Sequence, residues 1–262
     1  MKNFLKPLLF SGIAVLSLYS CDDNEDMMMD SEMSVYARIS SDSDLSNLKA
    51  AVDKAGLSST LDQSGTFTLF APTNAAFATF LQANGYASLN DVPTASLKTL
   101  LMNHVLGTEV KSSGISTGYV STLAIGPASS TRPISMFINT SSGVRINGVS
   151  SVVATDIDVN NGVIHKVNSV IGLPTIVTHA TANPQFSSLV SALTRSDMPN
   201  FVGTLSGTAN SPFTVFAPSN DAFATFESQN PGTLGSLTSS QLTSILSYHV
   251  VAGANVLSNE IP

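Results

Sequence analysis

The 262-residue chain contains no tryptophan and one cysteine, Cys21, and only 11% of its residues are charged. A single cysteine excludes an internal disulfide and a cysteine-based metal site. The 11 Lys and Arg residues are scattered singly under a net charge of −7. Without a basic stripe to displace counterions, the chain is not expected to bind nucleic acid. No two histidines share helical or hairpin metal-ligand spacing, so no metal site is expected. No phosphate loop or dinucleotide fingerprint occurs. The longest apolar stretch, at residues 8 to 19, is too short for a transmembrane helix.

What the chain has is an internal echo. TLFAPTNAAFATF at residues 68 to 80 returns as TVFAPSNDAFATF at residues 214 to 226. Downstream, SLKTLLMNHVLGTEV (96 to 110) matches QLTSILSYHVVAGANV (241 to 256), with His104 and His249 in register. Upstream, residues 45 to 61 match residues 186 to 205 across a small insertion. A period this long implies tandem globular domains, because solenoid units recur every ~20 to 50 residues. The first copy closes with NGVIHKVNSVIGLP (161 to 174), and the second reaches Pro262 without a counterpart. Half a domain would leave an open sheet edge and an uncovered core, so the expectation is a second domain completed in a longer native chain.

The N-terminus reads as an export signal over residues 1 to 20. Lys2 and Lys6 precede the apolar LLFSGIAVLSLY, and Ser20 is the small residue before Cys21. Cys21 is either an idle thiol or a lipidated one. LYSC resembles the bacterial lipobox, whose cysteine is diacylated and becomes the mature N-terminus. The acidic DDNED at residues 22 to 26 suits a solvated linker and also resembles the signal sending Bacteroidetes lipoproteins to the outer face of the outer membrane. The expectation is a surface-exposed outer-membrane lipoprotein on a flexible tether over residues 21 to 41.

Within the first copy, Leu45, Leu48, Val52 and Ala55 fall near helical spacing, with Gly56 as a stop. GTFTLFAP (65 to 72) suits a short strand buried on both faces. Pro72 ends it, and Thr73 or Asn74 caps a helix over residues 75 to 84 with Phe77, Phe80 and Leu81 inward. A further helix over 96 to 105 carries Leu97, Leu100 and Leu101. From Thr122 to Asn168, short apolar stretches broken by Gly, Ser, Pro and Asn predict strands and turns. Helices followed by strands imply an α+β domain whose helices cover one side of a small sheet or β-wedge.

TLFAPTNAAF, the helix ending in Asn103-His104-Val105 and NGVIHKVNSVIGLP together resemble the fasciclin domain, a module of secreted and surface adhesion proteins. The resemblance covers residues 44 to 174 completely, within a first domain at 42 to 174, and, after a linker at 175 to 184, residues 185 to 262 as the front of a second. It implies an α+β wedge or small sandwich with helices packed over it, no reaction and no cofactor. It further implies adhesive contact with an extracellular protein, matrix or glycan, the membrane being reached through the lipid anchor. A Tyr-His pair at the end of the central helix is associated with partner contact in animal members. Tyr248 and His249 keep that pair, whereas Asn103 precedes His104. A histidine at a helix C-terminus also caps carbonyls and complements the helix dipole, which gives His104 and His249 a structural reading. A second functional expectation is small-molecule or polysaccharide binding for an outer-membrane uptake system.

Two patterns resemble catalytic or metal motifs without their context. GISTG (114 to 118) matches G-x-S-x-G but lacks the strand before and helix after that a nucleophile elbow needs. DIDVNNG (156 to 162) begins like a calcium loop, yet Val167 stands at the twelfth position, so a turn accounts for it. His165 is expected to hydrogen-bond within the sheet, and His179 falls in the linker.

Overall fold

A computed structural model describes residues 33–261, so the export signal, Cys21 and the acidic run lie outside the described residues. The first helix among the described residues, α1 (Val35–Ser41), is capped by Ser34, whose Oγ accepts the Ala37 N–H at 3.1 Å. α2 (Ser46–Lys54) and α3 (Ser58–Asp62) follow, separated by a turn in which Gly56 takes φ +67°. A β-carbon is strained in that left-handed conformation, which is why glycine stops the helix there. β1 (Phe67–Pro72) is buried throughout, and Thr73 caps α4 (Asn74–Ala83) through Oγ1. α5 (Thr94–Met102) then delivers the chain to β2 (Val105–Leu106).

The strand-rich half contributes β3 (Gly118–Ile125), β4 (Pro133–Asn139), β5 (Arg145–Ile146), β6 (Ser150–Val159) and β7 (Gly162–Val167). With β1 and β2 they form a seven-stranded sheet in the order β2-β1-β7-β6-β5-β4-β3. Only β1 and β7 run parallel, in register from Phe67 opposite Gly162 to Pro72 opposite Val167. The sheet curls until β3 returns against β2, and its two faces bury separate cores. Val35, Ile39, Leu48, Leu69, Phe77, Leu97 and Ile164 pack under the helices. Phe70, Leu106, Met136, Ile138, Ile146, Val167 and Ile171 pack within the curled strands. The fold is α+β, as expected.

Two boundaries differ from the sequence reading. Residues 35 to 41, assigned to the flexible tether, form α1, and both Val35 and Ile39 are fully buried. Two apolar residues one turn apart are too short a period to recognise, and the helix stands because Asn161 receives the Val35 N–H on Oδ1 at 2.8 Å. Likewise the linker at 175 to 184 contains α6 (Ile176–Ala182), capped by Thr175. α6 is the counterpart of α1: Asp42 and Asn183 each cap a following 3-10 turn, accepting the Asp44 and Gln185 N–H groups at 3.0 Å. The repeat therefore begins about ten residues earlier than the matched sequence blocks.

The second copy contains α7 (Ser187–Leu193), α8 (Phe201–Ser206), β8 (Phe213–Val215), α9 (Asn220–Gln229), α10 (Thr233–Ser236), α11 (Ser239–Tyr248) and β9 (Val250–Ala252). Here Ser219 caps α9 as Thr73 caps α4. Asn74 and Asn220 use the same device, each accepting an N–H from the first turn of an earlier helix, from Asn47 in α2 or Ser188 in α7, at 2.9 Å.

Candidate interaction site

The two helix-to-strand corners, at Asn103-His104 and Tyr248-His249, begin alike. The His104 carbonyl accepts the Phe70 N–H at 2.9 Å, and the His249 carbonyl accepts the Phe216 N–H at 2.9 Å. In each, ring Nδ1 lies 2.8 Å from the carbonyl one turn back, Leu100 or Ile245, so the proton sits on Nδ1. The β strand and the helix end are thereby stitched together in both copies.

Beyond that the corners diverge. In the first module His104 Nε2 accepts the Ile171 N–H at 2.8 Å, which uses both ring nitrogens in one neutral tautomer. Complete burial pushes its pKa down to about 4, against the opposing effect of the Leu100 carbonyl, because an imidazolium would have to shed its hydration. Asn103, also fully buried, donates from Nδ2 to the Ile171 and Gly172 carbonyls at 3.3 and 3.1 Å. Asn103 and His104 thus latch the closing segment and present no surface to a partner. In the second module Tyr248 is 91% exposed, His249 is half-buried, and His249 Nε2 has no partner among the described residues. Ile245, Val251 and Phe216 are exposed on the same copy.

The remaining sequence candidates are structural. His165, buried opposite Phe70, donates from Nε2 to the Val110 carbonyl at 2.9 Å and accepts the Asp156 N–H on Nδ1 at 3.2 Å. Asp156 sits at φ +58° in an irregular stretch of β6, its carboxylate bound by the Ser112 N–H and hydroxyl. Asp158 pairs with Lys111 at 3.0 Å, so the DIDVNNG carboxylates are engaged in the fold. GISTG passes from a 3-10 turn directly into β3, without the strand-turn-helix of a nucleophile elbow. His179, in α6, is mostly buried against the Tyr119 ring at 5.4 Å, and burial lowers its pKa. Asn183 meets the Tyr119 hydroxyl at 3.3 Å, which seats α6 on the first module. Nothing in the sequence pattern marked Tyr119 or Asn161 as joints; both depend on contacts far along the chain. Among the described residues no group of three or more His, Cys, Asp or Glu could hold a metal ion, and no helix is long and apolar enough to cross a membrane.

The fasciclin domain model matches residues 43–174 and again residues 184–262. The chain belongs to the fasciclin domain family. Among its fasciclin relatives, protein sll1483 of Synechocystis sp. is 32% identical over 142 residues, which cover 54% of this chain and 74% of that protein. Periostin of Homo sapiens is 30% identical over 144 residues, 53% of this chain but 16% of periostin. Immunogenic protein MPT70 of Mycobacterium tuberculosis is 39% identical over 88 residues, 33% of this chain and 44% of its own length. A solved FAS1 domain pair from the insect cell adhesion molecule fasciclin I aligns with a TM-score of 0.45 and 19% identity, covering 82% of this chain and 71% of that one.

Proposed function

We propose that this fasciclin chain is a non-enzymatic, lipid-anchored surface module that engages protein or glycan partners through its second copy. The observation that carries this is the contrast at the two corners: the first copy buries Asn103 and His104 completely, whereas the second exposes Tyr248 almost fully beside Ile245. An aromatic ring with a polar tip is suited to contact at low conformational cost, and among the described residues Tyr248 is 91% exposed. The first copy acts as a rigid base seated against α6 by Tyr119. Lipidation at Cys21 and export to the outer membrane would array many such weak contacts on one surface, raising their effective concentration.

The experiment compares beads coated with the full chain and with Tyr248→Ala for adhesion to cells and for retention on a glycan array. Loss of adhesion with unchanged unfolding midpoint supports the reading. Equal adhesion of the two proteins removes Tyr248 from it. Saturable capture of a soluble sugar with no adhesion replaces it with nutrient binding.

A further inference from the structure

The two modules treat one helical corner differently. In the first, Lys54 at the end of α2 donates from Nζ to the Leu89, Asn90 and Val92 carbonyls at 2.9, 2.7 and 2.7 Å, which uses every proton it has. Leu81 of α4 packs against the core, as do Tyr86 and Leu89. Polar and apolar groups are both engaged, and the corner is closed. In the second module Arg195 stands in the place of Lys54, and its Nη2 donates to the Leu237 carbonyl, the counterpart of Val92, at 3.1 Å. Glu227 replaces Leu81, and its carboxylate accepts the Gly232 and Leu234 N–H groups, so a charged group organises the turn into α10. Asn230-Pro231-Gly232-Thr233 supplies no ring in place of Tyr86. A groove of about 570 Å³ lies there, bounded by residues of α7, α9, α10 and α11, a volume suited to a small molecule. Phe223, half-buried, lines it, whereas its counterpart Phe77 is 1% exposed. All the lining residues have counterparts between Ser46 and Leu97, so the contrast lies within the helical half of both modules.

We propose that this groove is a binding site for one uncharged pyranose sugar unit. Arg195 directs Nε and Nη2 at Asp197, at 2.6 and 2.9 Å, and Nη1 keeps two N–H donors with no partner among the described residues. Ser188 and Ser191, three positions apart on one face of α7, add hydroxyls that both donate and accept. A polyhydroxylated ring can meet these donors and acceptors together. Phe223 supplies the apolar half of the site: the C–H face of a pyranose is weakly positive and suits the negative face of an aromatic ring. Charge selects against ionic ligands. Asp197 offsets the Arg195 charge, and Glu227 leaves the groove net negative, which disfavours a carboxylate or a phosphate. Both Glu227 oxygens are held by backbone N–H groups, which lessens their pull on an ammonium. Tyr248 does not line the groove, and the two assignments stand independently.

The test titrates the full 262-residue chain with the methyl pyranosides of glucose, galactose, mannose and N-acetylglucosamine, read by saturation-transfer NMR. Saturable one-to-one binding of at least one of them is expected, and no binding of sorbitol, which has the hydroxyls without the ring face. Restoring the first module's residues in the double variant Arg195→Lys, Glu227→Leu should weaken binding by about tenfold while the unfolding midpoint stays at least as high. Should that protein misfold, Ser191→Ala, at an exposed helical position, decides, with an expected loss of about fivefold. Tyr248→Ala should bind the sugar as the parent chain does. The site is overturned by a lack of saturable binding for all the pyranosides, or by unchanged binding in the variants at Arg195, Glu227 and Ser191. Sorbitol or the methyl glycoside of glucuronic acid binding as well as the best neutral pyranoside also overturns it, as does loss of sugar binding in Tyr248→Ala.

Discussion

His104 Nε2 accepts the backbone N–H of Ile171 at 2.8 Å across 67 positions of sequence, while Nδ1 binds Leu100 within its own helix. One neutral imidazole thus joins the central helix to the segment that closes the domain. His249 keeps the helical half of this arrangement and has no closing segment to receive among the described residues.

Replacing His104 by Ala should therefore cost about 3 kcal/mol or more, since the Leu100 carbonyl and Ile171 N–H are left buried and unpaired beside a cavity. His249→Ala, at a half-buried ring with one bond, should cost about 1 kcal/mol. Urea denaturation of the two variants checks the difference; equal losses would contradict the latch.

The same ring predicts acid sensitivity. Its folded pKa of about 4 lies below the ordinary 6.5, so the unfolded state binds the proton more readily. The stabilisation is complete above pH 6.5, declines as pH falls, and is spent below about pH 4, a total of about 3 kcal/mol. Burial of His179 acts in the same direction. Unfolding free energy measured between pH 7 and pH 4 should show this slope, and His104→Gln should flatten it.

Gly162→Ala in the protein should disrupt the β1–β7 pairing. The glycine has φ +147°, and the added carbon would meet Phe67 backbone on a parallel strand that cannot move aside. A loss of about 3 kcal/mol or more, or failure of the first module to fold, is expected by circular dichroism and limited proteolysis.

A chain beginning at Asp42 should be clearly less stable than one beginning at Ser34. It lacks Val35 and Ile39, fully buried, and leaves Asn161 Oδ1 without its N–H donor. The loss is about 3 to 5 kcal/mol from the two side chains alone. Asn161→Ala should reproduce part of it by also orphaning the Leu61 and Gln63 carbonyls. Equal midpoints for the two chains would return residues 34 to 41 to the tether.

Much of the fold was legible because its signals are short-range. Pro72 ends a strand and Thr73 caps the helix behind it by chemistry complete within four residues. α1 and α6 were missed for the converse reason: each is seven residues long, below the length at which a helix stands by its own propensity, and each exists through contacts with distant elements. At His104 two readings were open, a structural cap or a partner contact, since position at a helix end suits both. Burial fixes its role.

The sequence by itself determined that the chain is a repeat of α+β modules, because the duplicated blocks and the shift from helical to strand periodicity are written locally. Only the tertiary structure decided that Asn103 and His104 turn inward while Tyr248 turns outward. The physical reason is that burial of the first corner rests on the backbone of Ile171 and Gly172, some 67 residues downstream, which meets His104 Nε2 and Asn103 Nδ2 in space and not in sequence.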